Sequence, residues 1–475
     1  MITTLKNGWR WYSQPYQFLD EALRREALTF RLNLPLLGPA LITGEPSLIQ
    51  EIVANKDLQG GKGISALRTI LGHRSLIMLD GPEHLERRRL IASFLRGDRL
   101  AAYDALTRTI SLEEAGKLAF EQPFSVYHLS RKIALKVIIQ VIFGRLPEAE
   151  AALVEAMIEA FLTSFDNALI LFLKPLHLNL GRFSPWGRAL QRRDRLVRYI
   201  VSRIDQARLD PPAPYWGREL DPAAPYWGRD LDPTAPYWGR DLDPAASCWE
   251  RNPDPPAPYW GREPESLLAH LLRCSAGKLT VDEIAAEILA LLLFGHDTGA
   301  ATMAWAMAHI YQDQASLDRI EQELAVTDAP ETMPFLEACL NESMRLCPVV
   351  VHLTRVASKE TTLAGYKLKA GDVVIPCTYL AQHHPAIFEA PDQFRPERFL
   401  GGQSYPYAFF PFGLGSRTCV GKPLVLRQML LIASTLIKHE RFMLAPGYEP
   451  QPVRHMVLIV PKDGTLMIRK GRYGR

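Results

Sequence analysis

Pro411-Phe-Gly-Leu-Gly-Ser-Arg-Thr-Cys-Val-Gly421 stands directly ahead of an apolar stretch running from Leu424 to His439. The stretch reads as a helix, so Cys419 sits at or just before its start. Exposed N–H groups and the helix dipole favour negative charge there. A cysteine so placed is easily deprotonated, and the thiolate is the form that binds a metal. Gly413 and Gly415 permit a tight loop with positive φ, and Gly421 removes a side chain where a flat ligand could lie on the backbone. Phe412 supplies an aromatic wall and Arg417 a cation for an acidic ligand edge. The loop reads as one half of a haem pocket with sulfur as axial ligand.

Taken singly, a cysteine before a helix is usually a small core residue. The order Phe-x-x-Gly-x-Arg-x-Cys-x-Gly gives each position a separate task, and it resembles the cysteine-ligand loop of the cytochrome P450 family. That resemblance implies a thiolate bond from Cys419 to haem iron, with Phe412, Arg417 and Gly421 around the cofactor.

A second stretch, Leu289-Ala-Leu-Leu-Leu-Phe-Gly-His-Asp-Thr-Gly-Ala-Ala-Thr-Met-Ala-Trp305, follows a capping box formed by Thr280 and Glu283. The helix it predicts is nearly all apolar and therefore buried. An acid–alcohol pair inside such a helix is costly unless used or satisfied. The Thr298 hydroxyl can compete for the carbonyl four residues earlier and loosen the ladder beside Gly295. Thr298 back-bonding while Asp297 caps or pairs nearby is an equally open reading of these residues alone. The stretch resembles the family's oxygen-activation helix, with Phe294 and Gly299 as departures from its usual pattern. The resemblance implies that Asp297 and Thr298 deliver protons to bound oxygen.

Glu342 and Arg345, in Phe335-Leu-Glu-Ala-Cys-Leu-Asn-Glu-Ser-Met-Arg-Leu-Cys-Pro348, are three apart and share a helical face. Alone they read as a solvated pair. Phe394-Arg-Pro-Glu-Arg-Phe399 adds Arg398 as a second cation, and the two elements resemble the family's structural triad of Glu342, Arg345 and Arg398. In Asp80-Gly-Pro-Glu-His-Leu-Glu-Arg-Arg-Arg89, His84 and Arg88 are four apart on one face. Arg355 is placed in sequence like a family arginine on a strand. A porphyrin carries two propionates, so His84, Arg88, Arg355 and Arg417 make four candidates for two carboxylates.

Lys and Arg number 55 against 52 Asp and Glu, a net charge of +3 that excludes bulk nucleic-acid affinity. The six cysteines show neither CxxC pairing nor regular spacing, which suggests neither a disulfide framework nor a zinc site. With no signal-peptide pattern and no run of about 18 uncharged apolar residues, the reading is a cytoplasmic protein without a transmembrane anchor. Between the helical patterns ending near Arg208 and resuming near Glu265, Pro-Tyr-Trp-Gly-Arg recurs at Pro214, Pro225, Pro236 and Pro258. Thirteen of the 36 prolines fall in residues 211–264, a density that breaks helices and interrupts ladders. Residues 209–264 are accordingly expected as a disordered insertion between the helices the family calls G and H. Neutral repeat expansion is preferred to a docking role, because loop-closure cost grows slowly with length.

The expected fold is mainly α with small β-sheets, a single haem domain across 1–475 interrupted by that insertion. Strands are expected at Leu28–Leu32, Ala40–Thr43, Asp372–Pro376 and near Val457–Ile468. The resemblance implies a monomeric monooxygenase carrying heme b, with O2 as co-substrate. Its substrate would be a hydrophobic, lipid-like or terpenoid molecule. Only 56 residues (475 − 419) follow Cys419, so electrons are expected from a separate ferredoxin or flavodoxin, received by a basic patch of Arg417, Lys422 and Arg427. A peroxide-driven peroxygenase or isomerase, and a non-catalytic haem carrier or sensor, stand as alternatives.

Overall fold

Thr280 and Glu283 close the capping box their spacing predicts. Glu283 N–H donates to Thr280 Oγ1 at 3.2 Å, and Thr280 N–H donates to Glu283 Oε2 at 2.9 Å. The helix they start, Val281–Phe294, is followed after two residues by Asp297–Gln312. Taken together, Val281–Gln312 is the one segment among the described residues long and apolar enough to cross a membrane, and 67% of its most apolar window is buried inside the protein. It is a core element. The structure is a computed structural model that describes residues 5–34, 37–95, 98–165, 177–209, 265–275, 277–327 and 329–472. The repeats of residues 210–264, expected as an insertion, lie outside the described residues; the helix before them ends at Leu209.

Helices dominate, as expected. Asp297–Gln312 packs against Val126–Phe143, and its alanines 300, 301, 304, 306 and 308 are all buried, which lets the neighbouring helices approach closely. The Pro185–Leu209 helix presents Leu196, Ile200 and Ile204 to the same core at intervals of four. That is the apolar stripe a 3.6-residue period produces. Truncating such a side chain to alanine costs about 2–5 kcal/mol.

Five strands form one sheet in the order Thr29–Leu34, Gly38–Thr43, Val373–Pro376, Arg355–Ala357, Leu58–Gln59. Gly38–Thr43 and Val373–Pro376 pair in parallel, Ala40 opposite Val373 through Thr43 opposite Pro376. All four residues of Val373–Pro376 are buried, as a central strand covered on both faces requires. The register sets Arg355 opposite Val374 at the sheet's interior. Near the C-terminus the single expected strand region resolves into two strands in different sheets, Leu458–Pro461 and Leu466–Arg472, because residues 462–464 turn the chain with Asp463 at φ 61°.

Arg87, inside the Gly81–Phe94 helix, ties that helix to Val281–Phe294. Its guanidinium donates to Glu283 at 3.0 Å and to Glu287 at 2.7 Å. With Arg87 so anchored, His84 and Arg88 fall together on another face of the helix.

Candidate active site

The Cys419 loop has the backbone its glycines predict. Gly413 and Gly415 take φ of 76° and 63°, values that other residues rarely adopt. The turn is closed by Cys419 N–H donating to the Phe412 carbonyl at 2.7 Å, and the helix Lys422–His439 begins three residues later. Gly421 is different: its φ is −82°, and a Cβ there would meet only Cys419 Sγ, at 3.8 Å. Strain therefore does not explain this glycine. What its missing side chain leaves clear is the space beside the sulfur, which fits a flat group bonded to Sγ.

Cys419 is exposed as a residue, yet its thiol is crowded by protein. Burial pushes the thiol pKa up, against the pull of the Gly421 N–H, the Arg88 charge, and the N–H and charge of Lys422. The expectation of easy ionisation from the helix start alone is thus corrected. Desolvation outweighs the dipole, so the proton leaves when a cation takes its place.

The four predicted cofactor-binding cations converge. Arg88 donates to the carbonyl of Thr418, next to Cys419. Arg417 pairs with Asp80 and donates to the carbonyls of Leu79 and Ile77. Asp80 stands at the start of the Gly81–Phe94 helix. It makes no side-chain cap bond, because its carboxylate accepts instead from Arg417 and from the N–H groups of Gly60 and Gly61, at 3.0 and 3.1 Å. Arg355 donates only to the Thr354 carbonyl, at 3.1 Å, and makes no ion pair among the described residues. Burial and the charge of Arg417 push its pKa down to about 10.

His84 is buried, and desolvation followed by the charges of Arg417 and Arg88 holds its pKa near 4. At neutral pH it is a hydrogen-bonding imidazole, not the cation the spacing suggested. The cluster therefore offers uncompensated positive charge at Arg355 beside a neutral donor. This donor set fits an anionic, carboxylate-bearing group such as a haem edge.

On the other side, the helix is broken at Gly295 and His296, whose φ and ψ are −123° and −38°. Thr298 Oγ1 donates to the Phe294 carbonyl at 3.1 Å, the competition foreseen from sequence. Asp297 is buried and accepts from the Tyr127 hydroxyl, with Arg131 Nε 3.3 Å away. Both partners come from the Val126–Phe143 helix, about 170 residues distant, and no local sequence signal marks them. Gly299 packs on Val425, where a Cβ would lie 3.2 Å from a valine methyl, so the break rests against the helix that follows Cys419.

Glu342 and Arg345 are fully buried, at 0% exposure, in a bidentate pair with both bonds at 2.8 Å. Arg398 Nε and the Arg395 N–H also donate to Glu342 Oε1, at 3.2 and 3.0 Å. Arg345 adds the carbonyls of Gln382 and Gln393, at 2.9 and 3.3 Å. The surface-pair reading does not hold. These three side chains knit the Pro334–Leu346 helix to the segment leading into the Cys419 loop. The expected basic docking patch is also corrected: Arg417 is taken by Asp80, and Arg427 pairs with Asp104 and Glu331, each at 2.6 Å.

Residues 240–468 match the profile of the family described as Cytochrome P450. The chain is 27% identical over 445 residues to cytochrome P450 137 of Mycobacterium tuberculosis, covering 93% of this chain and 83% of that one. To cytochrome P450 135B1 of Mycobacterium bovis it is 23% identical over 464 residues, covering 96% and 88%. Among solved structures, a retinoic acid-bound cyanobacterial CYP120A1 superposes with a TM-score of 0.76 at 19% identity, covering 97% of this chain and 96% of that one. The cytochrome P450DA heme domain gives 0.74 at 15% identity, covering 96% and 93%. Cysteine loop, broken helix, buried triad and full-length likeness agree: the chain is similar to the cytochrome P450 family in sequence and shares its fold.

Proposed function

We propose that Cys419 is the thiolate ligand of the haem in this O2-dependent monooxygenase, and that Asp297 and Thr298 manage its protons. The observation that carries the reading is the exposed Cys419 at the head of Lys422–His439, with Gly421 clearing the space beside its sulfur. Phe412 and Gly421 border the cofactor, and Arg355, Arg88, Arg417 and His84 receive its propionates. When bound, a thiolate-ligated haem supplies oxygen activation and O–O cleavage.

The chain's own residues set the conditions for that chemistry. Arg355 brings a charge that gains a partner only when an acidic group arrives. Arg417 is already steered by Asp80, so it positions and Arg355 neutralises. Asp297, held by Tyr127 and Arg131, keeps a carboxylate inside an apolar helix, where it can accept and pass a proton at its oxygens. The Thr298 hydroxyl spends its proton on the Phe294 carbonyl in this conformation, and rotation about χ1 would redirect that donor away from the backbone. The triad Glu342–Arg345–Arg398 is scaffold.

The substrate is a hydrophobic small molecule, lipid-like or terpenoid. The stretches the family places around substrate, such as Val349–Thr354 and Ala290–Thr298, are largely apolar. Electrons come from a separate ferredoxin or flavodoxin, and the enzyme works as a cytoplasmic monomer. The test is turnover of a panel of fatty acids, alkanes and terpenes under labelled O2 with a ferredoxin, its reductase and NADPH. One labelled oxygen atom in the product, with a spin-state shift on substrate binding, is the expected result. Label entering only from hydrogen peroxide, at a rate untouched by Thr298→Ala, would favour the peroxygenase alternative instead.

A further inference from the structure

Three polar atoms in the core lack any hydrogen-bond partner, Ser130 Oγ, His296 Nε2 and Gln428 Nε2, and the three residues that carry them line the same small cavity. They belong to residues 1%, 0% and 5% exposed, on three different elements. Ser130 is on Val126–Phe143, Gln428 on Lys422–His439, and His296 in the break between the two halves of the long core helix. The space open to the centre of a water-sized sphere is ≈ 10 Å³. That is room for about one water, and the rest of the lining, Gly299, Met303 and Met429 among it, is apolar.

The donor and acceptor inventory is complementary. His296 Nδ1 lies 2.8 Å from the Leu292 carbonyl, so it carries the proton and leaves Nε2 with a bare lone pair. Gln428 has a buried amide N–H without an acceptor, and the Ser130 hydroxyl can give or take. A water donating to His296 Nε2, accepting from Gln428 and exchanging one bond with Ser130 satisfies all three. Buried waters typically make about three such bonds, and buried polar groups without partners are rare.

We propose that this cavity is an internal water site that cross-links the break at Gly295–His296 to the helices carrying Ser130 and Gln428. The link has a functional position. His296 immediately precedes Asp297, and the helix of Ser130 also supplies Tyr127 and Arg131, which hold the Asp297 carboxylate. Lys422–His439 is the helix that follows Cys419. One water thus joins the proton-handling turn to the helix behind the metal ligand, and Ser130, His296 and Gln428 are positioning residues. Their role rests on the reading of Asp297 and Thr298 given above, whereas the site itself does not.

A high-resolution crystal structure of the haem-loaded protein tests the site directly. A single density peak within hydrogen-bond distance of all three atoms is expected. An empty cavity, or Ser130 turned onto its own helix with Gln428 bonded elsewhere, overturns the proposal. The positioning role is tested in Gln428→Leu, which removes the donor and fills the space. Amide hydrogen exchange across Phe294–Ala300 should rise roughly tenfold, reflecting a loosened local segment. Unchanged exchange in a variant whose density shows the water gone overturns that role. If the variant fails to fold, the wild-type density still decides the site. Loss of monooxygenase activity alone would bear on Asp297 and Thr298, not on the water.

Discussion

Glu342→Gln removes one negative charge from a place where no solvent can compensate. Oε1 accepts from Arg345 Nη2, Arg398 Nε and the Arg395 N–H, and Oε2 accepts from Arg345 Nε. Four donors lose a charged acceptor, and two guanidinium groups, one wholly buried, lose their counter-ion. Each charge-assisted bond is worth about 1.5–3 kcal/mol. They are not additive, and breaking a buried pair by removing one partner costs about 3–5 kcal/mol in total. Against a typical stability of about 5–15 kcal/mol, this is about a fifth at the least. Urea unfolding should show a lower midpoint with an unchanged slope. Glu389→Gln is the control: its partner Arg395 is 3.5 Å away and both side chains are largely exposed, so the midpoint should stay put. A second substitution, Arg345→Gln on top of Glu342→Gln, should cost less than the sum, because one stranded charge is removed. A Glu342→Gln midpoint corresponding to under about 1 kcal/mol would refute the claim that this network holds the loop's side of the fold.

Arg355→Leu should have opposite effects on the two forms of the protein. The haem-free chain gains stability because a half-buried cation without an ion-pair partner among the described residues is gone. The loaded chain loses haem to a scavenger at least tenfold faster, about 1.4 kcal/mol of lost binding; equal stability in both variants of the haem-free form would contradict the assignment. Acid should unfold the protein through its buried histidines. Burial pushes His84, His296 and His352 down to about 4 and His383 to about 3, so they are neutral when folded but take a proton near 6.5 when unfolded. The unfolded state therefore binds more protons between about pH 4 and 6.5, and stability must fall as pH drops through that window. A flat unfolding free energy from pH 6.5 to 4.5 would be the wrong result. Thr298→Ala and Asp297→Asn should cut product formation about a hundredfold or more while oxygen is still consumed and peroxide accumulates. Unchanged product per oxygen in both would remove them from the proton path.

Much of this was legible in one sequence because several motifs are local. Positive φ at Gly413 and Gly415, the capping box at Thr280, and the back-bond from Thr298 to Phe294 all follow from residues within five positions of one another. The pairing of Glu342 with Arg345 is local as well, and Arg398 joined it through a second recognisable stretch. What could not be read depends on long-range neighbours. Tyr127 and Arg131 reach Asp297 only because two core helices pack. Asp80 neutralises Arg417 from 337 residues away, and Asp104 does the same to Arg427 from 323, which dissolves the basic patch that spacing suggested. The pKa of Cys419 goes the other way from the dipole argument, since desolvation depends on all the protein around the sulfur. The same holds for His84, whose neutrality comes from burial and from arginines distant in sequence.

The most direct test is the absorption spectrum of the haem-loaded protein, reduced and exposed to carbon monoxide, in the wild type and in Cys419→Ala. A red-shifted Soret band that vanishes in the variant is what a thiolate from Cys419 requires. A band that never forms, or that survives the substitution unchanged, would mean the sulfur at this position does not hold the iron.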